Sequence, residues 1–233
     1  MHDLATSIGH RVQPKVPGAS LRSKVARSSS REDFVRVGLE LANSVLGAAS
    51  SAGLDLRSAK ILDFGCGCGR VARHVIEAVP SATLFGVDVD SGAVRWCSKN
   101  LKGNFSVVSS ATPTFFRSES FDLIYAVSVF THLDEDSQDR WLAEIRRLLK
   151  PEGIFIASTH HPVLTFERPD LSETQHKVLA NGFLFAPGGG PPNEDSAFHS
   201  PEYLNRHWSG WFRLAAYNQH GLAGYQDLSV WAS

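Results

Sequence analysis

No apolar stretch of this sequence approaches the roughly 18 residues that a membrane-crossing helix needs, and the N-terminus lacks the apolar core of a secretory signal. A soluble, cytoplasmic chain with no membrane partner is expected. Cysteine is scarce: Cys66, Cys68 and Cys97 are an odd number in a chain too long to need covalent staples, which implies reduced thiols and no structural disulfide. Neither charge sign dominates, with 23 Lys and Arg against 24 Asp and Glu for a net −1, so there is no overall basic field to hold a nucleic acid or an anionic surface. Internal repeats and heptads are absent, and the one biased tract is "APGGGPPNED" at 186–195. What remains is a chain of 233 residues, 42% hydrophobic and 20% charged, suited to one globular α/β domain with a sizeable core.

Residues 1–31 carry Arg11, Lys15, Arg22, Lys24, Arg27 and Arg31, several serines and a single acid, a composition shared with organelle transit peptides. Pro14, Pro17 and Gly18 would break an amphipathic presequence helix, which favours a flexible basic arm ahead of a single domain over 32–233. Ser30 followed by Asp33 resembles a capping box, after which Phe34, Val37, Leu41 and Val45 recur at helical spacing as an N-terminal helical cap on the domain.

Apolar runs at Ile61–Phe64, Ala82–Val87, Phe105–Val108, Phe121–Val127 and Ile154–Ser158 read as strands separated by helical patterns or turns. Val71, Val75, Ile76 and Val79 mark a helix after the first strand. Trp141, Ile145, Leu148 and Leu149 mark another, stopped at Lys150-Pro151-Glu152-Gly153. Alternation of this kind predicts a parallel sheet with right-handed crossovers. Residues 160–208 read as an insertion of looser pattern, and the β-prone runs 211–217 and 225–231 as a closing hairpin with an antiparallel strand.

The stretch "ILDFGCGCGR" (61–70) places Gly65, Gly67 and Gly69 between a strand and a helix, where open α/β sheets present free backbone N–H groups to nucleotide-like ligands. A phosphate-cradling P-loop needs Gly-Lys-Ser/Thr, and 69–71 read Gly-Arg-Val. The nicotinamide fingerprint needs a small residue where Arg70 stands, so that reading is weakened but stays open. S-adenosylmethionine is the third candidate: Asp63 is placed to meet its ammonium, the glycine loop with Cys66 to pass under its amino-acid tail, and Asp88 to accept both ribose hydroxyls. The cysteines, two positions apart without partners at zinc spacing, read as small side chains between obligatory glycines, and no metal is expected.

Residues 121–158, "FDLIYAVSVFTHLDEDSQDRWLAEIRRLLKPEGIFIAS", strongly resemble the fourth-to-fifth-strand region of class I S-adenosylmethionine-dependent methyltransferases, where an FD-strand, a His-Leu loop, a helix and LKPxG occur together. With "ILDFGCGCGR" and "LFGVDVD" (84–90) the resemblance spans roughly Lys60 to Thr159. It implies a Rossmann-like, doubly wound seven-stranded sheet, mostly parallel with an antiparallel last strand and helices on both faces. It also implies Asp63, Gly65, Gly67 and Gly69 along the methionine tail, Asp88 on the ribose and Val89 on the adenine. Ser110 stands where many relatives carry an acid toward the adenine amino group, and Ala126, Val127 and Ser128 border the methyl donor.

Methyl transfer needs a base only when the nucleophile arrives protonated, and for a hydroxyl acceptor His is the usual choice. His160 is the first candidate, followed by His161 and His132, all at the sheet's carboxyl edge. His132 also suits a structural Thr-His-Leu turn, and the other two a turn before Pro162. His199, Tyr203 and His207 share one face at helical spacing and, with Trp208, suit either an aromatic substrate lid or a satellite core; as a zinc site they lack a fourth ligand. Arg22 and Phe34 are candidates for capping the acceptor pocket. The expected protein is therefore a methyltransferase for a small-molecule substrate, acting at oxygen, as a monomer or homodimer, with no nucleic-acid partner. The alternatives are a nicotinamide-dependent oxidoreductase and a non-catalytic S-adenosylmethionine-binding protein.

Overall fold

Alternation along the strands builds the molecule. In β1 (Lys60–Phe64), Ile61 faces one hydrophobic layer and Leu62 the other. In β4 (Phe121–Ala126) Leu123 and Tyr125 point to the first layer and Ile124 and Ala126 to the second. β5 (Leu149–Thr159) repeats the division with Ile154 and Ile156 against Phe155 and Ala157. Strands buried on both faces carry apolar side chains at every position, and each face needs a helical layer. This computed structural model describes residues 15–25, 30–110, 113–167, 180–188 and 194–233. Most of the expected N-terminal arm, including Arg11, Pro14 and Arg27, and the centre of the 186–195 tract lie outside the described residues.

The first layer is covered by α2 (Arg31–Ser51) and α3 (Ala72–Ala78), the second by α5 (Glu135–Leu148) and α6 (Pro201–His207). Ahead of them lies α1 (Ala19–Val25); β2 (Thr83–Asp88), α4 (Ser91–Asn100) and β3 (Asn104–Val107) lie between α3 and β4. The Ser30 hydroxyl accepts the Asp33 N–H at 3.2 Å and starts α2 as the sequence predicts. β8 (Arg213–Leu222) and β9 (Gln226–Ala232) form the closing hairpin. The sheet order is β3-β2-β1-β4-β5-β9-β8, all parallel except β9, which runs antiparallel between β5 and β8. The expected seven-stranded, mostly parallel sheet with an antiparallel last strand is the observed one. Strand order reverses between β1 and β4, so their carboxyl ends flank the crevice where such sheets bind ligands.

Three local expectations change. Val71 and Val79 are cap positions of a shorter α3 rather than helical residues. β5 begins at Leu149 because the Lys150–Gly153 turn is absorbed as a bulge: Phe121 pairs with Leu149 but Leu123 with Ile154, and Glu152 takes φ +65°. The insertion is not irregular throughout, since β6 (Phe183–Ala186) and β7 (Ser196–His199) form a two-stranded antiparallel sheet tied to the main one by a bridge from His160 to Phe198.

Candidate active site

β1 ends at the glycine loop because the backbone there takes conformations that only glycine adopts cheaply. Gly65, Gly67 and Gly69 have φ of +80°, +50° and +76°. A Cβ on Gly65 would fall 2.3 Å from Val129 Cγ2, and one on Gly67 2.6 Å from Val25 Cγ1. The loop is fastened to β2, with Gly65 and Cys66 N–H both donating to Val87 O and Gly67 N–H to Asp88 Oδ2 at 2.7 Å. Asp88 Oδ1 accepts the Asp90 N–H at 2.8 Å, so both oxygens are oriented while each keeps a further lone pair. Val89 beside it is 61% exposed, a large apolar side chain at the crevice.

Asp63 is buried, and its Oδ2 has no hydrogen-bond partner among the described residues. Burial pushes its carboxyl up to about 7, with the adjacent Tyr125 hydroxyl pulling the other way and Asp88 adding to the rise. A buried carboxyl left in this state is costly unless a cation or donor meets it. The loop cysteines do not compete for that role. All three thiols are free and buried, burial holds Cys68 up at about 12, and the sulfurs of Cys66 and Cys97 donate to Gly67 O. Among the described residues no group of three or more His, Cys, Asp or Glu is arranged to hold a metal ion.

The site is roofed by α1, whose reach sequence reasoning missed. Val25 lies on Gly67, Leu21 O accepts the Cys68 thiol at 3.4 Å, and Lys24 pairs with Asp90 at 2.7 Å. Arg73 ties the same segment down, donating to Lys15 O and Gly69 O over the rings of Phe34 and Trp96. Phe34 is fully buried with Cys68 and Ala93 behind the loop, which gives it a packing role in place of the expected acceptor-capping one. Arg22 donates within its own segment, to Pro17 O.

At the carboxyl ends of β4 and β5 a polar cluster forms. Ala126 is buried, Val127 half-buried, and Ser128 takes φ +58°, so that its N–H donates to Ser158 Oγ at 2.8 Å and its hydroxyl to Gln226 Oε1 at 3.1 Å. The Gln226 amide N–H₂ then donates to His160 Nε2 at 3.2 Å. His132 packs edge-on against His160 with ring centroids 6.4 Å apart, and His132 Nδ1 lies 2.6 Å from Asp195 O. His161 Nδ1 accepts the Val163 N–H at 3.1 Å. Ser110 is exposed after β3. Gln226, Ser158 and Asp195 carry no local motif; only polarity at strand ends marks them.

Of the two readings of the aromatic face, the substrate lid is corrected and the core stands. His199, Tyr203 and Trp208 are 0%, 3% and 0% exposed, and Tyr203 and Trp208 belong to the α5-side core. His199 ends β7 rather than sharing a helix with Tyr203, and its Nε2–H donates to Gln138 Oε1 at 3.0 Å, since the Gln138 amide nitrogen is already donating to Phe130 O and Leu133 O. The Tyr203 hydroxyl donates to Glu135 at 2.6 Å and His207 pairs with Asp139 at 2.7 Å, so the polar atoms of this face serve α5.

A family described as "Methyltransferase domain" matches residues 62–157. A malonyl-[acyl-carrier protein] O-methyltransferase of Halalkalibacterium halodurans is 30% identical over 51% of this chain and 45% of its own length. A fatty-acid O-methyltransferase of Mycolicibacterium smegmatis is 27% identical over 58% and 47%. The chain thus spans about half the length of the curated relatives it matches. Among solved structures, an S-adenosylmethionine-dependent methyltransferase of Aquifex aeolicus superposes with TM-score 0.61 over 94% of this chain and 99% of that one, at 17% identity, which shows the shared fold. The nicotinamide-dependent alternative finds no support among these matches.

Proposed function

We propose that the chain is a class I S-adenosylmethionine-dependent methyltransferase that transfers the methyl group of S-adenosylmethionine to an oxygen of a small molecule. One observation carries the reading: the buried, unpartnered Asp63 oxygen beside a glycine loop that opens beneath α1. The cofactor's ammonium is the cation that would satisfy that carboxylate, and a desolvated pair of this kind is worth far more than one in water. Gly65, Cys66, Gly67 and Gly69 would line the amino-acid tail, Asp88 would accept the ribose hydroxyls with its remaining lone pairs, and Val89 would cover adenine with Ser110 at its rim. Ala126, Val127 and Ser128 would stand beside the sulfonium.

When bound, S-adenosylmethionine supplies an electrophilic methyl on an already activated leaving group. The protein's own work is therefore to align an acceptor oxygen in line with it and to exclude water. Val25 and Leu21 close one side of the loop, and Val129, next to Ser128, packs on Gly65 at the other. The oxygen preference follows the O-methyltransferases among the relatives.

Calorimetry tests the cofactor: S-adenosylhomocysteine should bind and NADH should not. Transfer of labelled methyl groups to a panel of small hydroxyl and carboxyl compounds tests the reaction. Tight S-adenosylhomocysteine binding with no transfer to any of them would favour the non-catalytic reading instead.

A further inference from the structure

We infer that His132, and not His160 or His161, is the general base, held in its proton-accepting tautomer by the backbone carbonyl of Asp195, and that the acceptor is accordingly a hydroxyl compound. This rests on the methyl-transfer reading above. A neutral imidazole has one lone pair to offer, and the hydrogen bond made by the other nitrogen decides where it is. At His160 the Nε2 lone pair is already taken by the Gln226 amide, whose oxygen is committed to the Ser128 hydroxyl and whose nitrogen must therefore face the imidazole. At His161 the Nδ1 lone pair is taken by the Val163 N–H, leaving the proton on Nε2. A carbonyl oxygen can only accept, so His132 Nδ1, 2.6 Å from Asp195 O, carries the proton and donates it there. Nε2 of His132 is then the lone-pair nitrogen, and among the described residues nothing is hydrogen-bonded to it.

The insertion makes this arrangement. Asp195 precedes β7, and its carboxylate accepts the Gly188 N–H at 2.9 Å while its carbonyl meets His132, so that Gly188 and Asp195 are drawn together. A Cβ at Gly188 would lie 2.4 Å from Glu194 O, so glycine is what lets that closure form. Asp195 thus acquires a role: it presents its carbonyl to a half-buried histidine at the carboxyl edge of β4.

In the step itself the hydroxyl oxygen forms the new O–C bond as the C–S bond breaks with its electron pair leaving on sulfur. The hydroxyl proton passes to His132 Nε2, giving an imidazolium that later releases it to solvent. A carboxylic acid ionises near pH 4 and needs no such base, whereas a phenol or alcohol does.

His132→Asn is the informative variant, because the Asn amide nitrogen replaces Nδ1 toward Asp195 O while the Nε2 lone pair is gone. On a hydroxyl acceptor turned over by the wild type, kcat should fall by about 10²–10⁴-fold. The Kd for S-adenosylhomocysteine should stay within about twofold and Tm within a few degrees, while His160→Ala should retain at least about a tenth of wild-type kcat. Independently of turnover, ¹⁵N NMR of the S-adenosylhomocysteine-mixed protein should show His132 protonated at Nδ1 and bare at Nε2. The reverse tautomer, an active His132→Asn enzyme, an equal loss in His160→Ala, or transfer confined to carboxylic acids would overturn the inference. A wild type that neither binds S-adenosylhomocysteine nor transfers methyl would instead refute the reading beneath it, with the tautomer assignment judged by NMR alone.

Discussion

Asp63 concentrates the chemistry of the molecule at one residue. Its carboxyl sits near 7 because burial strips its water while no donor replaces it at Oδ2. The ionised form is the one that pairs with an ammonium, so affinity for S-adenosylhomocysteine should be level above pH 7.5 and fall by up to about tenfold per unit below about pH 6.5, read by calorimetry across pH 5.5–8.5. Asp63→Asn should weaken binding by about 10²-fold or more and abolish that pH dependence. Four residues further on, Gly67→Ala meets both the +50° φ and the Val25 side chain. It should lose about 1–2 kcal/mol in denaturant titration from the backbone alone, and Val25→Ala should relieve only the remainder.

The element that most changes between sequence and structure is the insertion with α6. If Tyr203 and Trp208 lined an acceptor site, trimming them would raise KM. Because they are packed beneath α5, Tyr203→Phe should cost about 1–2 kcal/mol of stability through the lost Glu135 bond, and Trp208→Ala about 3–5 kcal/mol, with KM unmoved in whatever protein remains folded. Gly188→Ala should act differently, lowering kcat by displacing Asp195 from His132 while Tm and cofactor affinity stay near wild type. The strands and the glycine loop were legible because each is written in a contiguous run: apolar stretches, a turn glycine, an acid one strand-helix-strand unit after Asp63. β6 and β7 were not, because they pair across a segment with no period of its own. Gln226 and Asp195 were not, because what they do depends on which strand lies next to which. The aromatic face near Trp208 stayed open between two readings for a related reason: a lid and a satellite core have the same spacing, and only burial separates them.

At the scale of the whole molecule, two buried groups with displaced ionisation oppose each other in stability. Asp63 is raised to about 7 in the folded protein from an ordinary 3.8, so the folded chain holds a proton that the unfolded chain releases, and stability drains away as pH rises from about 4 to 7. His199 is lowered to about 3 from an ordinary 6.5, chiefly by burial, so the unfolded chain takes up a proton that the folded chain refuses, and stability drains away as pH falls from about 6.5 to 3. Each displacement spans a little over three units, on the order of 4 kcal/mol, and over pH 4–6.5 the two slopes have opposite sign and similar size. Their joint contribution to the cofactor-free protein should therefore be nearly flat across that window, although each group is strongly perturbed. Single variants expose the cancellation. Asp63→Asn should leave the His199 slope, making stability climb with pH from 4 to 6.5 more steeply than in the wild type. His199→Gln, whose amide keeps the donor to Gln138, should leave the Asp63 slope and make stability decline over the same range. Urea titrations at half-unit pH intervals on the three proteins measure this directly, and parallel curves for all three would show that neither group carries the displaced proton. Above pH 7 Asp63→Asn should be the most stable of the three and bind S-adenosylhomocysteine worst, because the ionised carboxylate that costs the empty fold its stability is the group the cofactor's ammonium needs.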